Sequence, residues 1–374
     1  MPVRSARLPS TATPADLDFA REMLPTVSRT FAPAIEILPQ SLADSVRLAY
    51  LLCRVADTVE DAPHIPARTR RELLLRFGSL LSINNSDEES AETFAKEVTG
   101  VLPAERPESR LVAELPRLLR LLDGLDARRR GPIAHWTSEL TVGMARVLVL
   151  EVGQQTGWTA LTTCDDLTAY EYYVAGTVGC MLNELIYDHV NGDGTPPNPR
   201  VSELAVSFGL GLQGTNIIQD LSVDRARGWS YLPEEIAQRC GTATHKLHQT
   251  QEQPAAMMAI REMAGRVAGD LDDGLEYVLL LPRRHPRIRL FCLWPLLFAV
   301  RTLTRLLSSP AVLLRRVRIG RQEVRELTRG TMWRCMSNSA LRRLYLRERM
   351  GLVEASRAEL FHVDSPTMCR KERM

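Results

Sequence analysis

No two cysteines in this sequence stand in CxxC spacing, and the seven that occur, at positions 53, 164, 180, 240, 292, 335 and 369, make an odd set. That pattern excludes a disulfide frame and a structural zinc site, and it fits a reducing, cytoplasmic compartment. Several of these cysteines lie in apolar runs, where a small buried hydrophobe is the default role. The first 14 residues lack the apolar segment of a secretory signal and are expected to form a flexible polar lead. Phe291–Val300 is the most apolar stretch, and it falls short of the roughly 20 residues a membrane span needs, so no stable membrane anchor is expected. The balance of 47 Lys and Arg against 45 Asp and Glu leaves +2, which offers no field for nucleic acid. The histidines show no ligand spacing. A carboxylate-bridged iron site would need paired Glu-x-x-His motifs on two helices, and the sequence does not supply a pair.

Repeats of fixed period are absent, and so are long alternating β-branched runs. Helical spacing dominates: Ser41–Val59, Leu111–Leu125, Ala134–Glu151, Asp166–Val190, Ser202–Val223 and Met257–Leu281 each carry apolar residues at i, i+3 and i+4. Pro63, Pro66, Pro132, Pro233, Pro282 and Pro286 punctuate them. Residues 84–92 (NNSDEESAE) and 191–200 (NGDGTPPNPR) are expected loops. The pattern predicts one all-α domain over residues 15–340, followed by a charged tail over 341–374.

Two of these helices carry an unusual stripe. Tyr50, Arg54, Asp57 and Asp61 fall within a narrow sector at 3.6 residues per turn, on an otherwise apolar segment. Gln213, Asn216, Asp220 and Asp224 obey the same rule on a second apolar segment, after Gly209 and Gly211 and around Gly214, which permit close helix contact. Carboxylates four apart on two facing helices make a hard-oxygen site. Mg²⁺ prefers such ligands, keeps several waters and shares its other positions with substrate phosphates. The stripe alone points to a metal ion that turns a diphosphate into a leaving group, with Arg29 and Arg54 as candidates for the remaining charge.

Asp57-Thr-Val-Glu-Asp61 resembles the first aspartate-rich motif of squalene and phytoene synthases. Asn216-Ile-Ile-Gln-Asp220-Leu-Ser-Val-Asp224, followed by Gly228-Trp-Ser-Tyr-Leu-Pro233, resembles the second. Ser28-Arg29-Thr-Phe31, Tyr173-Val-Ala-Gly176-Thr-Val-Gly179 and Phe291-Cys-Leu-Trp-Pro295 are similar to three further family segments, in the same order. The resemblance implies an isoprenoid-synthase-type helical bundle around a central active-site cavity. It implies two or three Mg²⁺ held by Asp57, Asp61, Asn216, Asp220 and Asp224, and diphosphate contacts from Ser28, Arg29, Arg54 and Gln213. Tyr50 and Tyr173 would act beside Asp57 and Asp220 in catalysis, and Phe31, Trp229, Phe291 and Trp294 would line the prenyl or acceptor pocket. Arg315-Arg-Val-Arg318-Ile-Gly320 is similar to a basic loop near NADPH in squalene synthases; the match is short, and NADPH is not the expected cofactor.

The sequence departs from the family pattern at two cations. Gln219 stands where an arginine usually precedes the first aspartate of the second motif, and Trp229 stands where an arginine usually follows the glycine. Exchange of a bidentate phosphate partner is not conservative. A site short of two cations is expected to hold one diphosphate better than two, and Trp229 offers a ring face to an aromatic acceptor or a carbocation. The expected partners are therefore a prenyl diphosphate donor and a small acceptor without diphosphate, carbazole-like in the simplest case. Head-to-head condensation of two prenyl diphosphates through a cyclopropyl intermediate is the alternative.

Overall fold

The computed structural model describes residues 11–357, apart from 29, 63, 83–87, 153–156 and 193–195. The expected flexible lead therefore lies largely outside the described residues. Its last part is ordered: Thr13 caps the first helix through a reciprocal box, its hydroxyl accepting from the Asp16 N–H while the Asp16 carboxylate accepts from the Thr13 N–H at 3.0 Å. The helices, in order, are α1 (Pro14–Val27), α2 (Ala32–Glu36), α3 (Gln40–Glu60), α4 (Ala67–Leu80), α5 (Glu88–Thr99), α6 (Pro107–Ala113), α7 (Leu115–Asp123), α8 (Ala127–Val152), α9 (Cys164–Glu171), α10 (Thr177–Asn191), α11 (Pro199–Ala226), α12 (Glu234–Arg239), α13 (Gln253–Leu280), α14 (Pro286–Leu307), α15 (Arg321–Thr331) and α16 (Asn338–Arg357). Two dipeptides, β1 (Thr159–Ala160) and β2 (Trp229–Ser230), pair in parallel and tie the segment before α9 to the one after α11.

The all-α expectation holds, with local corrections. Leu111–Leu125 is two helices rather than one, because α6 ends at Ala113 and Pro116 lies in the first turn of α7, with Glu114 between them. Asp166–Val190 is continuous, but Tyr172–Gly176 forms a π-helical turn between α9 and α10, a device found at functional positions. Pro132 lies inside α8 instead of ending it. The polar stretch 84–92 is not a loop throughout, since residues from Glu88 onward form the first turns of α5. The charged tail does not begin at residue 341. Leu341, Leu344, Tyr345 and Leu352 of α16 are buried, the Tyr345 hydroxyl donates to Asp272 at 2.7 Å, and Glu348 pairs with Arg301 at 2.6 Å. Glu348 apart, the charges of α16 sit toward the outer face of a helix docked on α13 and α14.

The apolar run at 291–300 is part of a longer helix than its composition suggested. By length and composition α14 could cross a bilayer, yet most of it is buried in the protein, with Ile288, Leu293, Leu296, Leu297, Val300 and Leu303 fully enclosed. The six described cysteines are free.

Helix α11 is the hub, packing along α13 and also against α10, α14 and the π turn. Glycine makes that approach possible. A Cβ at Gly209 would lie 2.3 Å from the Ala175 carbonyl oxygen, and one at Gly179 would lie 2.2 Å from that of Ala205. Both obstacles are backbone and cannot rotate away. Gly209→Ala should therefore destabilise the fold by about 1–3 kcal/mol, read as a lower midpoint in urea at unchanged slope. A midpoint equal to that of the parent protein would show that the α11 crossing is looser than described.

Candidate active site

The two acidic stripes meet. On α3, Leu51, Leu52, Val55, Ala56 and Val59 are wholly enclosed, so the opposite face must carry Tyr50, Arg54 and Asp57 toward the cleft. Asp61 follows as the residue that ends the helix, its N–H donating to the Asp57 carbonyl at 2.8 Å. The stripe is less buried than the sequence suggested: the Asp57 and Asp61 side chains are 39% and 53% exposed, because they face a cleft rather than the core. On α11, Ile217, Ile218 and Leu221 are buried, which leaves Gln213 half-buried, Asn216 exposed and Asp220 half-buried on the open sector; Asp224 is buried.

A single guanidinium joins the helices. Arg227 donates through Nη1 to Asp61 and through Nη2 to Asp224. It continues the α11 stripe by three more residues, so the helical rule that selected Gln213, Asn216, Asp220 and Asp224 also contains it. A second guanidinium comes from far along the chain: Arg316 Nη2 lies 2.8 Å from Asp220 Oδ2. Arg54 stands at the other end of the row, 3.7 Å from Asp57 and 2.9 Å from Glu108 on α6. No periodicity pointed to Arg316 or Glu108, which reach the site only by tertiary folding.

The carboxylates are short of positive charge despite these partners. Loss of water pushes the Asp57 carboxyl up to about 6, with Arg54 opposing the rise and Asp61 adding to it. Asp224 is likewise pushed up to about 6 by burial, against the pull of Arg227 and with a push from Asp220 and Asp61. Burial also raises Asp220, against Arg316, Arg318 and Arg227. Asp61 acts electrostatically on residues of both helices, which is the signature of one shared site.

Other expected site residues divide into two groups. Ser28, Phe31 and Tyr50 come together at the edge of the row. The Ser28 hydroxyl accepts from the Phe31 N–H at 3.1 Å, while the Phe31 and Tyr50 rings stand 5.9 Å apart. Arg29 lies outside the described residues. Tyr173 sits on the π turn, but its hydroxyl accepts from Arg146 of α8, whose guanidinium also lies 5.1 Å over the ring. Trp229 is buried and stacked on Tyr231, with centroids 5.3 Å apart, and Tyr231 stacks in turn on Tyr170 at 4.5 Å. Its ring is thus part of a wall. Phe291 is buried, and Trp294 is half-buried with Nε1 donating to Thr331 at 2.9 Å. Gln219, where a cation was missed, donates through Nε2 to the Val317 carbonyl at 2.8 Å.

Among the described residues no three metal-ligating side chains are already gathered into one cluster. The donor chemistry nonetheless suits a hard divalent cation. Asp57, Asp61, Asp220 and Asp224 are all oxygen donors, two of them stay protonated up to about pH 6, and Arg227 already bridges the helices as a cation.

The squalene/phytoene synthase family model matches residues 24–323. The squalene synthase ERG9 of Candida albicans is 32% identical over 295 residues, which is 78% of this chain and 62% of that protein. The squalene synthase of Cyberlindnera jadinii is 30% identical over 321 residues, 84% of this chain and 67% of that one. The chain thus spans just under two thirds of the first of these relatives. Among solved structures, TcSQS in complex with the ligand BPH1237 superposes with a TM-score of 0.75 at 21% identity, over 95% of this chain and 94% of that one. The squalene synthase HpnC from Alicyclobacillus acidocaldarius gives 0.53 at 16% identity, over 84% and 95%. These two share the helical fold.

The raised Asp224 carboxyl has a consequence for stability. A native-state value near 6 against an ordinary 3.8 means that the folded protein holds this proton longer than the unfolded chain does. The native state is then favoured least once the pH exceeds both values. In metal-free buffer, Asp224→Asn should leave stability unchanged near pH 4 and raise it by about 1–2 kcal/mol at pH 7, relative to the parent protein. Chemical denaturation at several pH values checks this, and a variant less stable at pH 7 would refute the account of the site as charge-strained.

Proposed function

This chain belongs to the squalene/phytoene synthase family, whose members are prenyltransferases of isoprenoid metabolism, and on that premise we propose that it ionises an allylic prenyl diphosphate and joins two such units head to head. The observation that carries the proposal is the meeting of Asp57 and Asp61 with Asp220 and Asp224 across α3 and α11, linked by Arg227. The relatives named as squalene synthases support coupling of two diphosphates. So does the charge in the cleft. The cations missed at positions 219 and 229 are offset by Arg227 and Arg316, which the sequence had not assigned to the site.

Asp57, Asp61, Asp220 and Asp224, with Asn216 beside them, are the residues that would hold Mg²⁺. When bound, the ions neutralise the diphosphate and so make it a leaving group. Arg54 is held at the row between Glu108 and Asp57 and places its positive charge where a diphosphate would bind. Breaking the carbon–oxygen bond yields an allylic cation and pyrophosphate. The second prenyl unit's double bond attacks that cation, a carbon–carbon bond forms, and loss of one proton closes the cyclopropane. The Phe31 and Tyr50 rings at the edge of the row shield the cation from water. The unpaired cysteines support a cytoplasmic, reducing location.

A second acceptor class is favoured by one specific observation. The Gln219 amide is committed to Val317 and the Trp229 ring to Tyr231, so neither position offers a second diphosphate the charge that the family usually places there. Transfer to an acceptor without diphosphate, such as a carbazole-like ring, follows from that.

One incubation series separates the two. The full chain with Mg²⁺ and farnesyl or geranylgeranyl diphosphate alone, with and without NADPH, should yield pyrophosphate and a cyclopropyl diphosphate, squalene or phytoene. Asp220→Asn should slow pyrophosphate release on the order of 100-fold. Product that appears only when an indole or carbazole is added to dimethylallyl, geranyl or farnesyl diphosphate would replace head-to-head coupling by aromatic transfer. Failure to release pyrophosphate from any of these would remove the enzymatic reading altogether.

A further inference from the structure

Residues 314–320, between the short helical turn at Pro310–Leu313 and α15, run as a strap beside the acidic stripe of α11. Two polar contacts hold the strap there, and the half-buried Val317 side chain packs against the core. Gln219 Nε2 donates to the Val317 carbonyl oxygen at 2.8 Å. The residue before Val317, Arg316, sets its Nη2 2.8 Å from Asp220 Oδ2. Gln219 and Asp220 are neighbours on the helix, and Arg316 and Val317 are neighbours on the strap, so the two contacts fix one register between the segments. Residues 316–319 have no helical or strand hydrogen bonding, and Leu314 is 64% exposed. A segment with so little regular structure opens readily unless something pins its backbone.

Gln219 occupies the place where an arginine would bring charge to the second motif. In this chain the amide pins the strap, and the strap brings the charge. Arg316 donates through Nη2 to Asp220 Oδ2 and sets Nε beside the same carboxylate, while 38% of its side chain remains exposed, and Arg318 adds to the positive field felt by that carboxyl. A guanidinium has five donors in a planar fork, so one edge remains for an anion once the other is on a carboxylate. Building on the diphosphate reading above, we propose that Arg316 is a diphosphate-binding residue of this chain and that Gln219 positions it through the Val317 carbonyl. The cation is thus supplied by the strap in place of the helix.

The test is titration of inorganic pyrophosphate into the full chain with Mg²⁺, followed by calorimetry, together with hydrogen exchange of residues 314–320. R316A should weaken pyrophosphate binding about tenfold or more, and R316K should recover part of the loss. Q219A should weaken binding less and should speed exchange in the strap. Placing the cation back on the helix makes the strap dispensable, so Q219R combined with R316A should bind within about threefold of the parent protein. Parent-like binding by R316A overturns the proposal, as does a Q219A variant with an unchanged exchange rate in the strap. A parent protein that binds no pyrophosphate would overturn the diphosphate reading itself, whereas normal binding by the parent and by R316A alike would overturn only the role of Arg316.

Discussion

Four aspartates on two helices repel one another, and that repulsion is tolerated only because guanidinium groups enter the same cleft. Arg227 answers Asp61 and Asp224 together, Arg316 answers Asp220, and Arg54 answers Asp57. Even so, burial outweighs the arginines, since Asp57 and Asp224 both sit near 6. A fold selected for stability alone would place apolar residues there, because a partly satisfied buried charge network is worse than none. The strain makes sense if the cleft awaits further positive charge that arrives with the substrate. Divalent ions held by Asp57, Asp61, Asp220 and Asp224 would provide that charge.

The rest of the fold serves to keep the two stripes opposed. Helix α3 fixes its stripe by burying the opposite face completely. Helix α11 fixes its own by lying directly against neighbouring backbone at Gly209, while Gly179 of α10 meets the α11 backbone at Ala205. An apolar ridge can slide by a rotamer, but a carbonyl oxygen 2.3 Å from a would-be Cβ leaves no such freedom. The height of Asp220 relative to the π turn and α10 is thereby set by main-chain contact, which is the more rigid choice for a site that must hold a reacting centre in place.

The helices and the aspartate stripes were legible in the sequence, because each depends on spacing along a single segment; Ser28 and Phe31 entered through the family resemblance, and their approach to Tyr50 runs from the ends of α1 and α2 to α3. Arg227 was legible by the same rule and was passed over only because the stripe was ended one step early at Asp224. Glu108 was not legible, and Arg316 only as part of a basic loop similar to one near NADPH in the family; their pairing with Arg54 and Asp220 spans 54 and 96 residues of chain, and no local pattern encodes such pairing. Tyr173 and Trp229 show the opposite limit. Their positions within motifs suggested a role facing the reaction, while the structure shows Tyr173 held by Arg146 and Trp229 stacked on Tyr231. A motif fixes where a residue lies along a helix or strand, and packing decides which way its side chain turns.

The two departures at Gln219 and Trp229 can be weighed on the same footing. Counting cations residue by residue along the motif finds a deficit of two and leads to a site for one diphosphate. Counting them in space finds Arg227 and Arg316 close to the same carboxylates, so the deficit is largely an artefact of reading charge along the chain. Position remains the real difference. A cation on this strap is held by the Gln219–Val317 bond, its own pairing with Asp220 and the packing of Val317, whereas a cation on a helix is held by the helix itself. The acceptor this cleft takes therefore depends less on how much positive charge it contains than on how firmly the strap holds Arg316 beside Asp220 when the second reactant arrives.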